Sequence, residues 1–577
     1  MNHPATCALW LSTLLLIGCG GRDGALTCSE PEVLEGRLTG NVVVGERCSN
    51  WLVRGSVTVP EGATLTLRPG VTLSFLDDTG LVVDGGAIHA VGTAEEPILL
   101  TGTTRAPGAW AGVHLARSNA TRNRFEHVRI EWAGGSKFST AGAAAALALS
   151  GSAENPSRIQ ITDSEFSHSA GYGISLDAWG ELPGFSRNRL AENALGSAHV
   201  HPASVGGLTP GNAFGDGGTA SAIHVQDGTL TGREATFHEL GAPFVVGSIE
   251  LRTGATLVLD PGVELRMRAG KQLRAVEGVI RAVGTAEKGI SVRGEEATPG
   301  YWVGIVIHAS EGENALAHVT ISDAGGARDS WALAAATVAL TDDSARLSLV
   351  DSTIRNGASF GLYLDGNAAL TQFERNTFSQ HALGAAYVQA RGAHQLGGDN
   401  AYADNARAFV WVDGSDAVNA DVTWASLDVP YFVASDLRVE GHLTVAPGAS
   451  LHFDADAALI VPNTGRLTAV GTADAPITFA RSPEVAAWKG LWLHASKHDN
   501  RLEHAVVSGA GAAASSWSSG NPAGLMVYQS KVNVAGARFA DNTGYGVWVS
   551  TLSEASGCSA ATFSGNTIAA TGGAPCP

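Results

Sequence analysis

From about residue 36 onward the chain is built of short apolar runs with alternating character, divided by turns rich in Gly and Asn. Ala63-Thr64-Leu65-Thr66-Leu67, Ala255-Thr256-Leu257-Val258-Leu259 and Ala449-Ser450-Leu451-His452-Phe453 are examples. Alternation with a period of two over four or five residues predicts half-buried strands. Long apolar patterns at i, i+3 and i+4 are lacking, so helices are not expected. The runs themselves recur. Gly361–Leu364, Ala385–Val388 and Phe409–Val412 end 24 residues apart in both steps. Ile174–Leu176, Ala198–Val200 and Ile223–Val225 end 24 and 25 apart. Such a period exceeds one strand and two turns and suits one coil of a parallel β-helix, with two or three strands per coil. A leucine-rich repeat shares the period, but its LxxLxLxxN signature is absent.

A larger repeat overlies the coils. Gly92-Thr93-Ala94-Glu95-Glu96-Pro97-Ile98 returns 192 residues later as Gly284-Thr285-Ala286-Glu287-Lys288-Gly289-Ile290, and 187 further on as Gly471-Thr472-Ala473-Asp474-Ala475-Pro476-Ile477. Trp110-x-Gly112, Trp302-x-Gly304 and Trp488-x-Gly490 follow these blocks, and His127, His318 and His504 follow those. Three β-helix units are expected, at 28–219, 220–406 and 407–577. A ladder of turn residues runs beside the strands: Asn356, His381 and Asn405, then His168 with Asn193, and Asn542 with Asn566. Asn tolerates φ > 0 and bonds nearby backbone, so it suits a turn. Phe-x-x-Asn steps accompany the ladder at Phe185, Phe373, Phe539 and Phe563. These features together resemble the right-handed parallel β-helix superfamily, the pectin-lyase-like fold. The resemblance covers 36–570 and is specific for fold more than for function. The expected class is therefore all-β, a right-handed parallel β-helix built from three large internal repeats.

The superfamily includes polysaccharide lyases and glycoside hydrolases, which gives the resemblance one enzymatic implication. Glycoside hydrolysis needs paired carboxylates within about 10 Å. Asp77-Asp78 and Asp342-Asp343 are the only adjacent Asp pairs, and neither has the Gly-His-Gly or Arg-x-Lys neighbours of polygalacturonases. The chain has six Lys and no Arg-x-Pro-x-x-Arg motif of lyases. A catalytic set is therefore not expected, and neither is a cofactor. Trp110, Trp302, Trp488, His127, His318 and His504 occur in every unit and are expected to serve packing. The three His would lie too far apart along a solenoid to share a metal ion.

Charge and the N-terminus change the picture. Net charge is −18, which disfavours a nucleic-acid partner. Ala8–Gly18 is apolar and too short to span a bilayer, as in a signal peptide. Leu16-Ile17-Gly18-Cys19 resembles a bacterial lipobox. The resemblance implies a signal peptide over 1–18, lipid on Cys19 and a tether over 19–27. With Gly20 following, it implies anchorage in the outer membrane. Cys28, Cys48, Cys558 and Cys576 remain. Cys28–Cys48 with Cys558–Cys576 is the simplest of three pairings. It requires an oxidising compartment and staples both solenoid ends.

Gly- and Ser-rich stretches after each His strand are expected to form protruding loops. They carry Phe138, Trp331 and Trp517 at similar positions. Aromatic faces stack on sugar rings, so these three are the candidate ligand-binding residues, against the alternative that they fold back over the coil. The expected function is a lipid-anchored, non-enzymatic scaffold of the cell envelope that binds polysaccharide or a surface protein. A carbohydrate-active enzyme on the same fold is the alternative.

Overall fold

The computed structural model describes residues 28, 30–215, 221–310, 312–397, 399–515 and 520–577. Cys19 and Trp517 lie outside them. The regular structure of the described chain is nearly all strand, and neighbouring strands in its sheets run parallel. It is a right-handed parallel β-helix with three sheets to the coil. Apolar residues at alternate strand positions enter one continuous core, from Leu34 to Cys558.

The first coils run through sheets we number 1 to 3. Sheet 1 stacks Thr72–Phe75, Ile98–Gly102, Val128–Glu131 and Glu165–Ser167. Sheet 2 stacks Gly80–Asp84, Gly112–Ala116, Ala145–Ser150 and Tyr172–Leu176. Sheet 3 stacks Thr64–Leu67, Ala87–Val91 and Arg124–Glu126. Sheet 2 then continues without a break, through Ile223–Val225, Phe244–Val246 and Ile290–Gly294 to Thr377–Ser379. Two new sheets join it. Sheet 4 begins at Gly228–Leu230 and sheet 5 at Glu234–Phe237. Sheet 4 continues in turn, to Thr562–Ser564. In the last coils its companions are sheet 6, from Leu437–Arg438 to Ala569–Gly573, and sheet 7, from Val422–Trp424 to Glu554–Ser556.

The coil order is thus 1-2-3, then 2-4-5, then 4-6-7. Corresponding segments do not lie above one another. Trp110-x-Gly112 leads into sheet 2, Trp302-x-Gly304 into sheet 4 and Trp488-x-Gly490 into sheet 6. Each time, the role moves on by one face of a three-faced coil. The change follows short 3-10 turns, Pro202–Gly207 and Ala390–Gln395, which stand where the third sheet of the preceding coils ends.

Both disulfides have the expected pairing. Cys28 and Cys48 have Cα atoms 5.4 Å apart, and Cys558 and Cys576 5.6 Å. At the C-terminal end the Cys558 amide also donates to the carbonyl of Pro577 at 2.9 Å. Bridges of this span close loops worth roughly 3 kcal/mol in the chain-entropy model.

Candidate functional site

The recurrent residues are structural, and the geometry shows how. Trp110, Trp302 and Trp488 are fully buried. Their indole N–H groups donate to the carbonyls of Glu131, Ser322 and Ser508 at 2.9, 2.7 and 2.9 Å. Trp110 stacks on Phe75 with centroids 4.0 Å apart, and Trp488 on Phe453 at 4.1 Å. His127, His318 and His504 have φ of 50°, 51° and 47°. Each is the left-handed residue that turns the chain into a strand beginning at the next residue. On the following rungs the same turn is made by Asp163 and Arg187, and by Asp351 and Arg375. These pair bidentately, with Nε–Oδ1 and Nη2–Oδ2 contacts of 2.7 and 2.6 Å, and 2.7 and 2.9 Å. Arg187 thereby holds the Asp163 carboxyl below its ordinary range.

Ligand atoms of Glu126, His127 and Asp163 lie within 4.8 Å of one another and could approach a cation. Arg187 already occupies Asp163, however, and Arg124 reaches Glu126 at 2.6 Å. The corresponding residues elsewhere are Ala317, His318 and Asp351, and Glu503, His504 and Gly536. Cys28, Glu32 and Cys48 also converge, but both thiols are in the disulfide.

The turn ladder is real and needs one correction. Asn193 accepts from the amide of Ser169 at 3.0 Å, and Asn405 from that of His381 at 2.9 Å. Asn566 stands above Asn542, with Nδ2 to Oδ1 at 2.8 Å. The rung below Asn193 is thus Ser169, and a Cβ on Gly357 would lie 2.4 Å from the His381 ring. Residues 24 apart stack here. His168 and Asn356, at 25, are instead left-handed turn residues with φ of 58° and 54°. A further triplet was not foreseen. Asn123, Asn314 and Asn500 are buried and bond the coils on either side. Asn314 accepts from Ile280 N at 2.7 Å and donates to Arg346 O at 3.0 Å. Asn123 and Asn500 do the same with Ile88 and Arg158, and with Leu467 and Lys531. Their spacing matches that of the triplicated His, which was the available signal.

The Gly-rich loops do overhang a sheet. The coil grows there to 34 residues between Val113 and Leu147, against 24 between Tyr363 and Tyr387. Backbones nearly touch at their roots: a Cβ on Gly135 would collide with the Gly108 carbonyl, and one on Gly326 with that of Gly300. Phe138 and Trp331 fold back instead of projecting. Phe138 stacks on His114 at 4.9 Å. Trp331 stacks on His308 at 3.5 Å, and Arg274 lies over its ring at 3.8 Å. Trp331 keeps 39% of its surface exposed. Because of the one-face advance, Phe138 covers sheet 2 and Trp331 covers sheet 4. They form no row.

Under the Phe138 loop is a cavity of about 410 Å³ lined by His114, Thr140, Ser150, Asp84, Arg117 and Asp177. His114 bonds Ser150 Oγ at 2.8 Å, and burial lowers its pKa to about 4. The outward stripe of sheet 2 continues through Ala148, Ser175, His199 and His224. Burial lowers His199 to about 4 as well, with His224 and Arg268 adding repulsion.

Sheet 4 carries a different stripe. Tyr363, Tyr387, Trp411, Phe432 and His452 occupy one outward position on successive rungs. Their neighbours Leu362, Ala386, Val410 and Tyr431 point inward and are fully buried. Successive ring centroids from Tyr363 to Phe432 lie 5.8, 6.0 and 4.9 Å apart. Ala332 of the overhang packs with Tyr363, whereas Tyr387 and Trp411 are half-buried. One flank is acidic. The Tyr387 hydroxyl donates to Asp413 at 2.8 Å. Asp416 accepts from Arg391 N at 3.2 Å, and a Cβ on Gly366 would lie 2.7 Å from its Oδ2. Burial raises the Asp416 pKa, and Asp413 adds repulsion. Burial likewise raises Asp365, with Asp343 and Asp342 adding to it. The adjacent Asp pairs expected to be inert have turn roles: Asp78 has φ of 61°, and Asp342 accepts from the Ser344 amide and hydroxyl at 2.9 and 2.6 Å.

A family model described as a pectate-lyase-like β-helix domain matches residues 36–152, which contain the lining of the Phe138 cleft except Asp177. The match supports a polysaccharide-related fold. No curated protein and no solved structure matches the chain.

Proposed function

We propose that the protein is a lipid-anchored, non-enzymatic β-helix of the bacterial cell envelope that binds polysaccharide along the outward stripe of sheet 4. The observation that carries the reading is the pair of half-exposed aromatic rings at Tyr387 and Trp411, on successive rungs, with the buried Phe432 continuing the row on the next. Parallel rungs lie about 4.8 Å apart, near the rise of one β-linked sugar, so an extended chain laid along the axis would meet an aromatic at every step. The pectate-lyase-like match supports the ligand class. The lipobox-like segment before Cys19, and two disulfides that need an oxidising compartment, support the outer membrane as the location.

One observation favours the enzymatic alternative. Asp365 and Asp416 are carboxyls held above their usual range beside an aromatic surface, the environment that tunes a general acid. A single experiment separates the two readings. The detergent-solubilised full chain is applied to a glycan array, and soluble polysaccharides are assayed for product release. Retention that Trp411→Ala weakens, with no release, supports the binding reading; release of reducing or unsaturated ends overturns it. Labelling with radioactive palmitate that Cys19→Ala abolishes supports the anchor, and labelling that persists overturns it.

A further inference from the structure

We infer that the ligand of the sheet-4 stripe is a cationic glycan, an amino-sugar polymer with free ammonium groups, and not a uronic-acid polymer. The inference rests on the polysaccharide-binding reading above and adds the charge of the ligand. Asp413 lies within hydrogen-bond reach of the Tyr387 hydroxyl, so its carboxylate borders the rings directly. Asp416 comes from the same rung and Asp365 from two rungs below, and all three act electrostatically on Tyr363. Asp342 and Asp343 extend the acidic flank by another rung.

Positive charge on this flank is sparse. Arg391 stands 3.8 Å from Asp416 and spends one guanidinium N–H on Asn367 at 2.7 Å. The flank therefore repels a polyanion and attracts a polycation, while the rings supply apolar contact that is indifferent to charge. The sheet-2 cleft makes a contrast. His199 and His224 stand there with Arg268 nearby, and an ion pair of Arg117 with Asp84 lines the neighbouring cavity. Carboxylates line the sheet-2 flank too, but Asp84 and Asp227 there are paired with Arg117 and Lys271. Charge also fits the arrangement of parts. The carboxylates of Asp413 and Asp416 stand on the Trp411 rung and that of Asp365 two rungs below, so ammonium groups on alternate sugars would find a partner while the sugar bodies stay over Tyr387 and Trp411.

The test is calorimetric titration of the detergent-solubilised full chain with three probes of equal length: a glucosamine hexamer, its N-acetylated form and a galacturonate hexamer. A Lys-rich peptide serves as a fourth. We expect the glucosamine hexamer to bind at least tenfold more tightly than the acetylated one, with the preference falling as salt rises. Asp413→Asn and Asp416→Asn should erase the preference, and Trp411→Ala should weaken both glycans. Thermal melting of each variant shows that it folds, and the salt dependence of the wild type tests charge with no mutation. Equal or tighter binding of the acetylated or galacturonate hexamer overturns the inference and leaves the polysaccharide reading intact. Equally tight binding of the peptide overturns the glycan assignment. Binding of none of the sugars overturns both.

Discussion

Trp331 lies face to face on His308, with ring centroids 3.5 Å apart and planes inclined by 18°. Arg274 stands over the same indole and pairs with Asp329 of the overhang at 3.3 Å. The aromatic thus fastens the loop to sheet 4. Trp331→Ala should cost about 1–3 kcal/mol through the lost stacking and cation–π contacts. Denaturant unfolding checks the magnitude. Limited proteolysis should then cut between Gly325 and Leu333 faster than in the wild type. If cutting and stability are unchanged while glycan affinity collapses, Trp331 is a ligand contact and not a clasp.

The left-handed turn at His318 makes a sharper demand on residue type than on imidazole chemistry. His318→Asn should stay within about 0.5 kcal/mol of the wild type. His318→Val, which places a β-branched residue at φ near 50°, should cost roughly 1–3 kcal/mol. Equal losses in both variants would mean that the ring itself is needed.

Asn314 is buried and serves the coils on both sides. Asn314→Ala leaves Ile280 N–H and Arg346 C=O without partners. A loss of about 2–4 kcal/mol is expected from two unsatisfied buried groups. Hydrogen exchange should report it first at the Ile280 amide. Unchanged protection there would refute the bridging role.

His114, His199 and His381 all have folded pKa values lowered to about 4, chiefly by burial, against 6.5 when free. The folded chain therefore binds fewer protons than the unfolded chain between those values. Their contribution to stability is complete above about pH 6.5 and is lost as pH falls toward 4. Unfolding midpoints in denaturant between pH 7.5 and 4.5 should fall accordingly. His114→Gln should flatten the slope, and the His114 ring should remain neutral by NMR at pH 5.5. A charged ring at that pH would contradict the prediction.

Alternation and the coil period were enough to read the fold from the chain, because a strand of period two and a coil of 24 are local properties. The cysteines were equally legible, since near-neighbours at each end leave little choice of partner. Rotation about the axis was not legible. Coils vary from 19 residues, between Glu32 and Trp51, to 36, between Arg129 and Glu165, so offsets of 192 and 187 do not reveal a whole number of turns. The same uncertainty displaced the ladder by one residue at His168 and Asn356, where residue type suggested a match and register decided otherwise. Phe138, Trp331 and Trp517 stand at matching places in the long repeats. A solenoid builds its rows from matching places in successive coils, and Tyr363, Tyr387 and Trp411 already stood 24 apart in the chain.

The one-face advance from sheet 2 to sheet 4 to sheet 6 works like a thread cut on a three-sided rod. No flat object laid against the rod, whether a bilayer or a neighbouring wall, can cover all three corresponding sheets at once. Whatever surface the molecule lies against, at least one of these sheets looks away from it. The outward stripes differ to match. Sheet 2 presents His114, Ser175 and His199, sheet 4 presents Tyr387 and Trp411, and sheet 6 presents Ile460, Trp492, Met526 and Trp548. Likeness along the chain becomes difference in outlook, and each side meets its own surroundings.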